Sequence, residues 1–173
     1  MAVMHVREGL LQIEDCLDAQ GGIVLPPGVT LISLIDRNIA NVPDAVAYRY
    51  LDFTRSEGAG VELTWTQLGS RMRAIGARVQ RVASAGDRVA ILAPQGLDYV
   101  AGFFGAVKAG TIAVPLFAPE LQGQAERLEI ALRDAQPTVI LTTAAVADAV
   151  QAFARGVPVV AIAEISDADG EEF

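Results

Sequence analysis

Residues 86–119, GDRVAILAPQGLDYVAGFFGAVKAGTIAVPLFAP, decide the fold. Residues 89–93 form a short, wholly apolar run, the pattern of a strand covered on both faces. Residues 97–109 carry only Asp98 and Lys108 as charges, which predicts a helix buried nearly all round. Gly110 closes that helix, and residues 111–116 are apolar again after the Thr111 hydroxyl. Strand, helix and strand joined by such short links predict a right-handed crossover in a parallel sheet.

The same alternation continues downstream. Residues 122–135 read as a helix with Ala125, Leu128, Ala131 and Leu132 inward, ended by Pro137. A strand over 138–142, an alanine-rich helix over 144–155 and a strand over 157–162 follow. Upstream, Thr30 is placed to cap a helix over 31–41. Residues 45–51 and 61–65 are rich in β-formers and predict a hairpin with a long loop. Thr66 is read as the cap of the next helix, which runs to about residue 84 with Leu68, Met72, Ile75 and Val79 on one stripe. The predicted fold class is α/β: an open twisted, mainly parallel sheet with helices on both faces, plus an N-terminal β-hairpin. Residues 1–21 read as a leader, with a short amphipathic helix over 6–17; a brief strand is read over 22–25. Residues 22–164 form the α/β unit, and the acid-rich 165–173 reads as a connector or tail.

With 173 residues the chain can hold one domain and bury about 70% of its unfolded surface. A hydrophobic share of 52% is high for a soluble domain. It fits a sheet covered on both faces, or a piece of a larger protein whose partner covers one face. The net charge of −8 argues against general affinity for nucleic acid or anionic membranes. Arg71, Arg73, Arg78 and Arg81 share one predicted helix but are spread around its polar arc, and so read as a solvated face. Cys16 is the only cysteine and His5 the only histidine, which excludes a disulfide framework, a Ser-His-Asp triad in the folded part and a His/Cys zinc site. No apolar run reaches the length of a membrane span, and the N-terminus lacks the marks of a secretory signal, so a cytoplasmic location is expected.

In open parallel sheets ligands sit at the carboxyl ends of the strands. Those ends offer Gln95, Thr142, Thr143, Glu164 and prolines. Gln95 and Thr143 could orient a ligand, and are read first as caps of the helices that follow them. Residues 105–110 have the glycine spacing of a phosphate loop, but Thr111 stands where lysine is required and the pattern lies at a helix end. No catalytic, cofactor-binding or metal-binding residue is assigned.

Several phrases resemble the front end of the adenylate-forming enzymes, the superfamily of acyl-CoA synthetases, fatty acyl-AMP ligases and nonribosomal adenylation domains. Residues 108–116, KAGTIAVPL, resemble that superfamily's second core motif, and 63–68, LTWTQL, its first. Residues 47–53, AYRYLDF, the phrase PQGLDY at 94–99, ERL at 126–128 and DAQP at 134–137 resemble the fatty acyl-AMP ligases most. The resemblance runs from about residue 22 to 163. It implies the N-terminal subdomain of an enzyme that uses ATP and magnesium to turn a fatty acid into acyl-AMP for an acyl carrier protein, often one serving a polyketide synthase. The superfamily's nucleotide loop, adenine and ribose motifs, magnesium-binding glutamate and C-terminal lysine do not occur in these residues. The piece by itself is therefore expected to be inactive, to need no cofactor and to self-associate through exposed apolar surface. A fragment of an acyl-CoA synthetase and a stand-alone, non-catalytic interaction module of the same fold are the alternatives. A flavodoxin-like signalling domain would need acids at strand ends, whereas Asp87 precedes its strand.

Overall fold

The computed structural model describes residues 16–24, 28–53, 58–119, 124–171 and 173. His5 and most of the helix read over 6–17 lie outside them, as do Leu25 and the first residues of the helix read from 122. The elements are α1 (Leu31–Asn41), β1 (Val46–Asp52), β2 (Ala59–Thr64), α2 (Trp65–Gln80), β3 (Arg88–Leu92), α3 (Leu97–Lys108), β4 (Ile112–Leu116), α4 (Ala125–Ala135), β5 (Val139–Thr142), α5 (Ala147–Gln151) and β6 (Val159–Ala161).

Strands β3 to β6 form one parallel sheet in the order β4-β3-β5-β6. The central pair, β3 and β5, is the most buried, which is why Val89–Leu92 and Val139–Leu141 read as uninterrupted apolar runs, with the buried Thr142 after the second. Edge strand β4 contains Pro115, whose missing N–H is tolerated at an edge. One face of the sheet meets α2 and α3 through Val89, Val139 and Leu141. The other meets α4 and the α5 region through Ala90, Leu92 and Ile140. The predicted two-faced sheet is therefore the observed one.

Two glycines set the distance between layers. A Cβ on Gly102 would lie 2.8 Å from Ile162 Cδ1, and one on Gly105 would lie 2.5 Å from Ile75 Cγ2. Gly102 thus lets α3 approach the turn after β6, while Gly105 lets it approach α2. Thr111 Oγ1 donates to the Ala106 carbonyl at 2.7 Å and closes the end of α3, with Gly110 in left-handed backbone at φ 82°.

The hairpin β1–β2 is a separate antiparallel sheet. Tyr48 anchors it, with its ring 6.5 Å from that of Trp65 and 6.1 Å from that of Phe104. Helix α1 joins through Ile35, which is buried in the same core, and through the Lys108–Asp36 ion pair at 2.8 Å.

Three local expectations change. The cap of α2 is Thr64, not Thr66: Thr64 Oγ1 accepts from the Gln67 amide at 3.2 Å, and Gln67 Oε1 accepts from the Thr64 amide at 2.9 Å. This reciprocal box turns Trp65 from strand end into helix start. Thr66 Oγ1 instead donates to the Pro43 carbonyl at 3.1 Å. The alanine-rich helix over 144–155 is only a 3-10 turn, Ala144–Val146, followed by the short α5. Burial of Val150 and Ala154 draws the chain inward, and Arg155 takes a left-handed φ of 47° before Gly156. At the brief strand read over 22–25, the described residues carry a single bridge, Leu17 to Ile23.

The acid-rich segment after β6 is ordered against α2. Its turn Asp167–Gly170 is a 3-10 helix, and Gly170 sits so close that a Cβ there would lie 2.5 Å from the Ala74 amide nitrogen. The Phe173 ring lies over Gly76, whose own Cβ would be 2.8 Å from it.

Candidate functional site

The carboxyl ends of β3, β5 and β6 meet beside the N-terminus of α3. Connections leave β3 toward β4 and leave β5 toward β6, so the chain diverges between the adjacent strands β3 and β5. That is the position where open α/β sheets form a ligand crevice. Thr142 Oγ1 donates to the Leu92 carbonyl at 2.7 Å and ties the two strand ends together.

Gln95 and Thr143 do not cap the helices after them. The N-cap of α3 is Gly96 with no side-chain hydrogen bond, and Gln95 is exposed. Thr143 stands at the N-cap position of the 3-10 turn and its carbonyl accepts from the Val146 amide at 3.2 Å, but its side chain makes no capping bond, and its Oγ1 is buried with no partner among the described residues.

Beside this crevice lies an open groove of about 620 Å³. Tyr50, Val61 and Leu63 of the hairpin form one wall; Gln67, Ser70 and Arg71 of α2 form the opposite one. Leu97 and Asp98 of α3 border it, with Asp98 in the helix's first turn, where its charge complements the helix dipole. Burial raises the pKa of Tyr48 and of Tyr99 above the ordinary tyrosine value, so both phenols stay protonated at neutral pH.

Arg71 is the residue the sequence reading undervalued. Its side chain is 20% exposed, and it is no solvated face. Nη1 donates to the Ile165 carbonyl at 2.8 Å and to Asp167 Oδ1 at 2.9 Å. Nη2 donates to the Ile162 carbonyl at 2.8 Å. Arg81 pairs with Asp169 at 3.1 Å and Arg73 bonds Ser70 at 3.3 Å. These partners lie 88 to 96 residues away for Arg71 and Arg81, so nothing in the local pattern signals them.

Chemically the strand ends offer amides, hydroxyls, carbonyls and the Glu164 carboxylate. None of the residues at 93–96, 117–119, 142–143 and 162–164 is basic, and only Gly96 precedes α3. Among the described residues no three His, Cys, Asp or Glu side chains come together as a metal site. No helix among them is long and apolar enough to cross a membrane.

A parallel α/β sheet with a crevice at its strand ends and a hairpin flanking it is the framework of the adenylate-forming enzymes. The chain belongs to the AMP-binding enzyme family, whose description matches residues 35–173. It is 46% identical over 139 residues to the long-chain-fatty-acid–AMP ligase FadD32 of Mycolicibacterium smegmatis, a match covering 80% of this chain and 22% of that protein. It is 50% identical over 105 residues to the long-chain-fatty-acid–AMP ligase FadD23 of Mycobacterium tuberculosis, covering 60% of this chain and 18% of the relative. Among solved structures, a fatty acid AMP ligase from Legionella pneumophila superposes with a TM-score of 0.73 at 23% identity over 83% of this chain and 25% of that one, a likeness of fold. The chain spans about a fifth of the length of the curated relatives it matches.

Proposed function

We propose that this chain is the N-terminal part of a fatty acyl-AMP ligase, an enzyme that joins a fatty acid carboxylate to AMP from ATP, releases pyrophosphate, and passes the acyl group to an acyl carrier protein. The observation that carries this reading is the 46% identity over 139 residues to a long-chain-fatty-acid–AMP ligase. ATP and magnesium belong to that activity. The residues described here do not fit either group, so their role is to build and hold the first part of the sheet against which the reactive residues are set. Residues 1–173 alone are then inactive. They also self-associate, because Leu51, Phe53 and Val61 of the hairpin region stand exposed at 46%, 78% and 56%.

A stand-alone interaction module is the second reading. It draws on the two closed core clusters, one on each face of the sheet. The coding sequence after Phe173 separates the two. A Ser/Thr/Gly-rich loop within a few tens of residues supports the ligase; an immediate stop codon supports the module.

A further inference from the structure

A cavity of about 350 Å³ lies at the amino ends of β5 and β6, the opposite end of the sheet from the crevice. Leu132 of α4, Ile140 of β5 and Phe153, Ala154 and Val157 of the α5–β6 connection make its wall apolar. Its mouth differs. Glu129 and Arg133 reach it from α4, and Arg155 reaches it from the connection. Arg155 pairs with Glu129 at 2.9 Å. The guanidinium of the exposed Arg133 has no ion-pair or hydrogen-bond partner among the described residues.

Two arginines and one glutamate give the mouth a charge of +1, in a chain whose net charge is −8. The carbonyl end of α4 would by itself repel an anion, but Arg88 Nε donates to the Ala135 carbonyl there and offsets it. Gln136, at φ 46°, and Arg155, at φ 47°, hold left-handed backbone on either side of the opening. Non-glycine residues keep that conformation only where the surrounding packing fixes it.

We infer that this cavity binds a small amphiphile with one aliphatic chain and a carboxylate head. The chain lies against Leu132, Ile140, Phe153 and Val157, and the carboxylate is held by Arg133. The volume falls within the range of roughly 300–1,000 Å³ typical of small-molecule sites, which are mainly apolar with few polar groups. A guanidinium matches a carboxylate with two parallel hydrogen bonds. A sugar or nucleotide would leave most of its polar groups unpaired against this wall, and an amine head would meet like charge. The site lies across the sheet from the crevice at the carboxyl ends of the strands, and its occupant is bound and not transformed.

The test is calorimetric titration of residues 1–173 with decanoate below its aggregation range, with decylamine and decanol as head-group controls. Expected is saturable binding of one decanoate, weakened by about two- to fivefold in Arg133→Gln, the size of one lost exposed ion pair, and abolished in Ala154→Leu, which fills the cavity. Arg133 is exposed, so Arg133→Gln decides the matter even where Ala154→Leu does not fold. Decanoate binding that is absent, that equals decylamine binding, or that Arg133→Gln leaves unchanged overturns the inference. None of these outcomes bears on whether the parent forms acyl-AMP.

Discussion

Replacing Arg71 by methionine keeps the unbranched apolar stem of the side chain and removes its three hydrogen bonds. The two to the Ile162 and Ile165 carbonyls, each 2.8 Å, are partly buried and charge-assisted. Bonds of that kind contribute about 1.5–3 kcal/mol where fully buried; partial access of water lowers this to about 1–1.5 kcal/mol apiece. Asp167 is 60% exposed, so its pairing with Arg71 adds only about 0.5 kcal/mol. The sum is about 3 kcal/mol, which for a domain of this size lowers Tm by about 6–12 °C. Thermal unfolding followed by circular dichroism measures it, with Asp167→Asn as the companion variant expected to shift Tm by less than about 2 °C. Amide exchange should rise first at 165–171, because those residues are held chiefly by this guanidinium and by their fit to α2. An Arg71→Met protein melting within about 1 °C of the unaltered chain would refute the reasoning. So would an Asp167→Asn variant as damaged as Arg71→Met, since the carbonyls would then not be what the arginine holds.

Gly170→Ala places a Cβ 2.5 Å from the Ala74 amide nitrogen and 2.8 Å from the Arg73 carbonyl carbon; backbone cannot yield cheaply there, and a loss of about 2 kcal/mol or more is expected in denaturant unfolding. Thr64→Ala removes the hydroxyl that caps α2 and should cost about 1 kcal/mol, whereas Thr66→Ala should cost less, reversing the order read from sequence. Tyr48 and Tyr99 have pKa values raised by burial above 10.0; in the folded state both hold their protons to higher pH than in the unfolded chain. The stability this gives is whole below pH 10 and is lost as pH rises through the raised values. Ultraviolet titration should show these phenols ionising above the ordinary tyrosine range, and Tyr48→Phe should flatten the alkaline fall in stability.

The βαβ unit was legible because its signals are local. An apolar run at Val89–Leu92, one continuous buried helix and a glycine at its end leave little alternative. Trp65 was misplaced because an aromatic after β-formers argues for strand by propensity, while the box between Thr64 and Gln67 satisfies two amides at once and prevails. Helix propensity in the alanines of 144–155 was overridden by the need to bury Val150 and Ala154 in the second core cluster. The Arg71 network was invisible because its acceptors are backbone carbonyls more than 90 residues away. The same limit hid the apolar cavity, which exists only once α4 meets the connection before β6. At the strand ends Gln95 and Thr143 are where the sequence places them, but neither side chain makes a helix-capping bond.

We propose that these residues form the scaffold of a fatty acyl-AMP ligase and carry none of its chemistry alone. Fatty-acid-dependent ATP–pyrophosphate exchange tests it most directly, measured on residues 1–173 and on the polypeptide encoded through and past Phe173. The account predicts exchange by the longer polypeptide with a long-chain fatty acid, and no exchange above the enzyme-free background by residues 1–173. Saturable exchange by residues 1–173, or a longer polypeptide that shows none with any fatty acid, would contradict it.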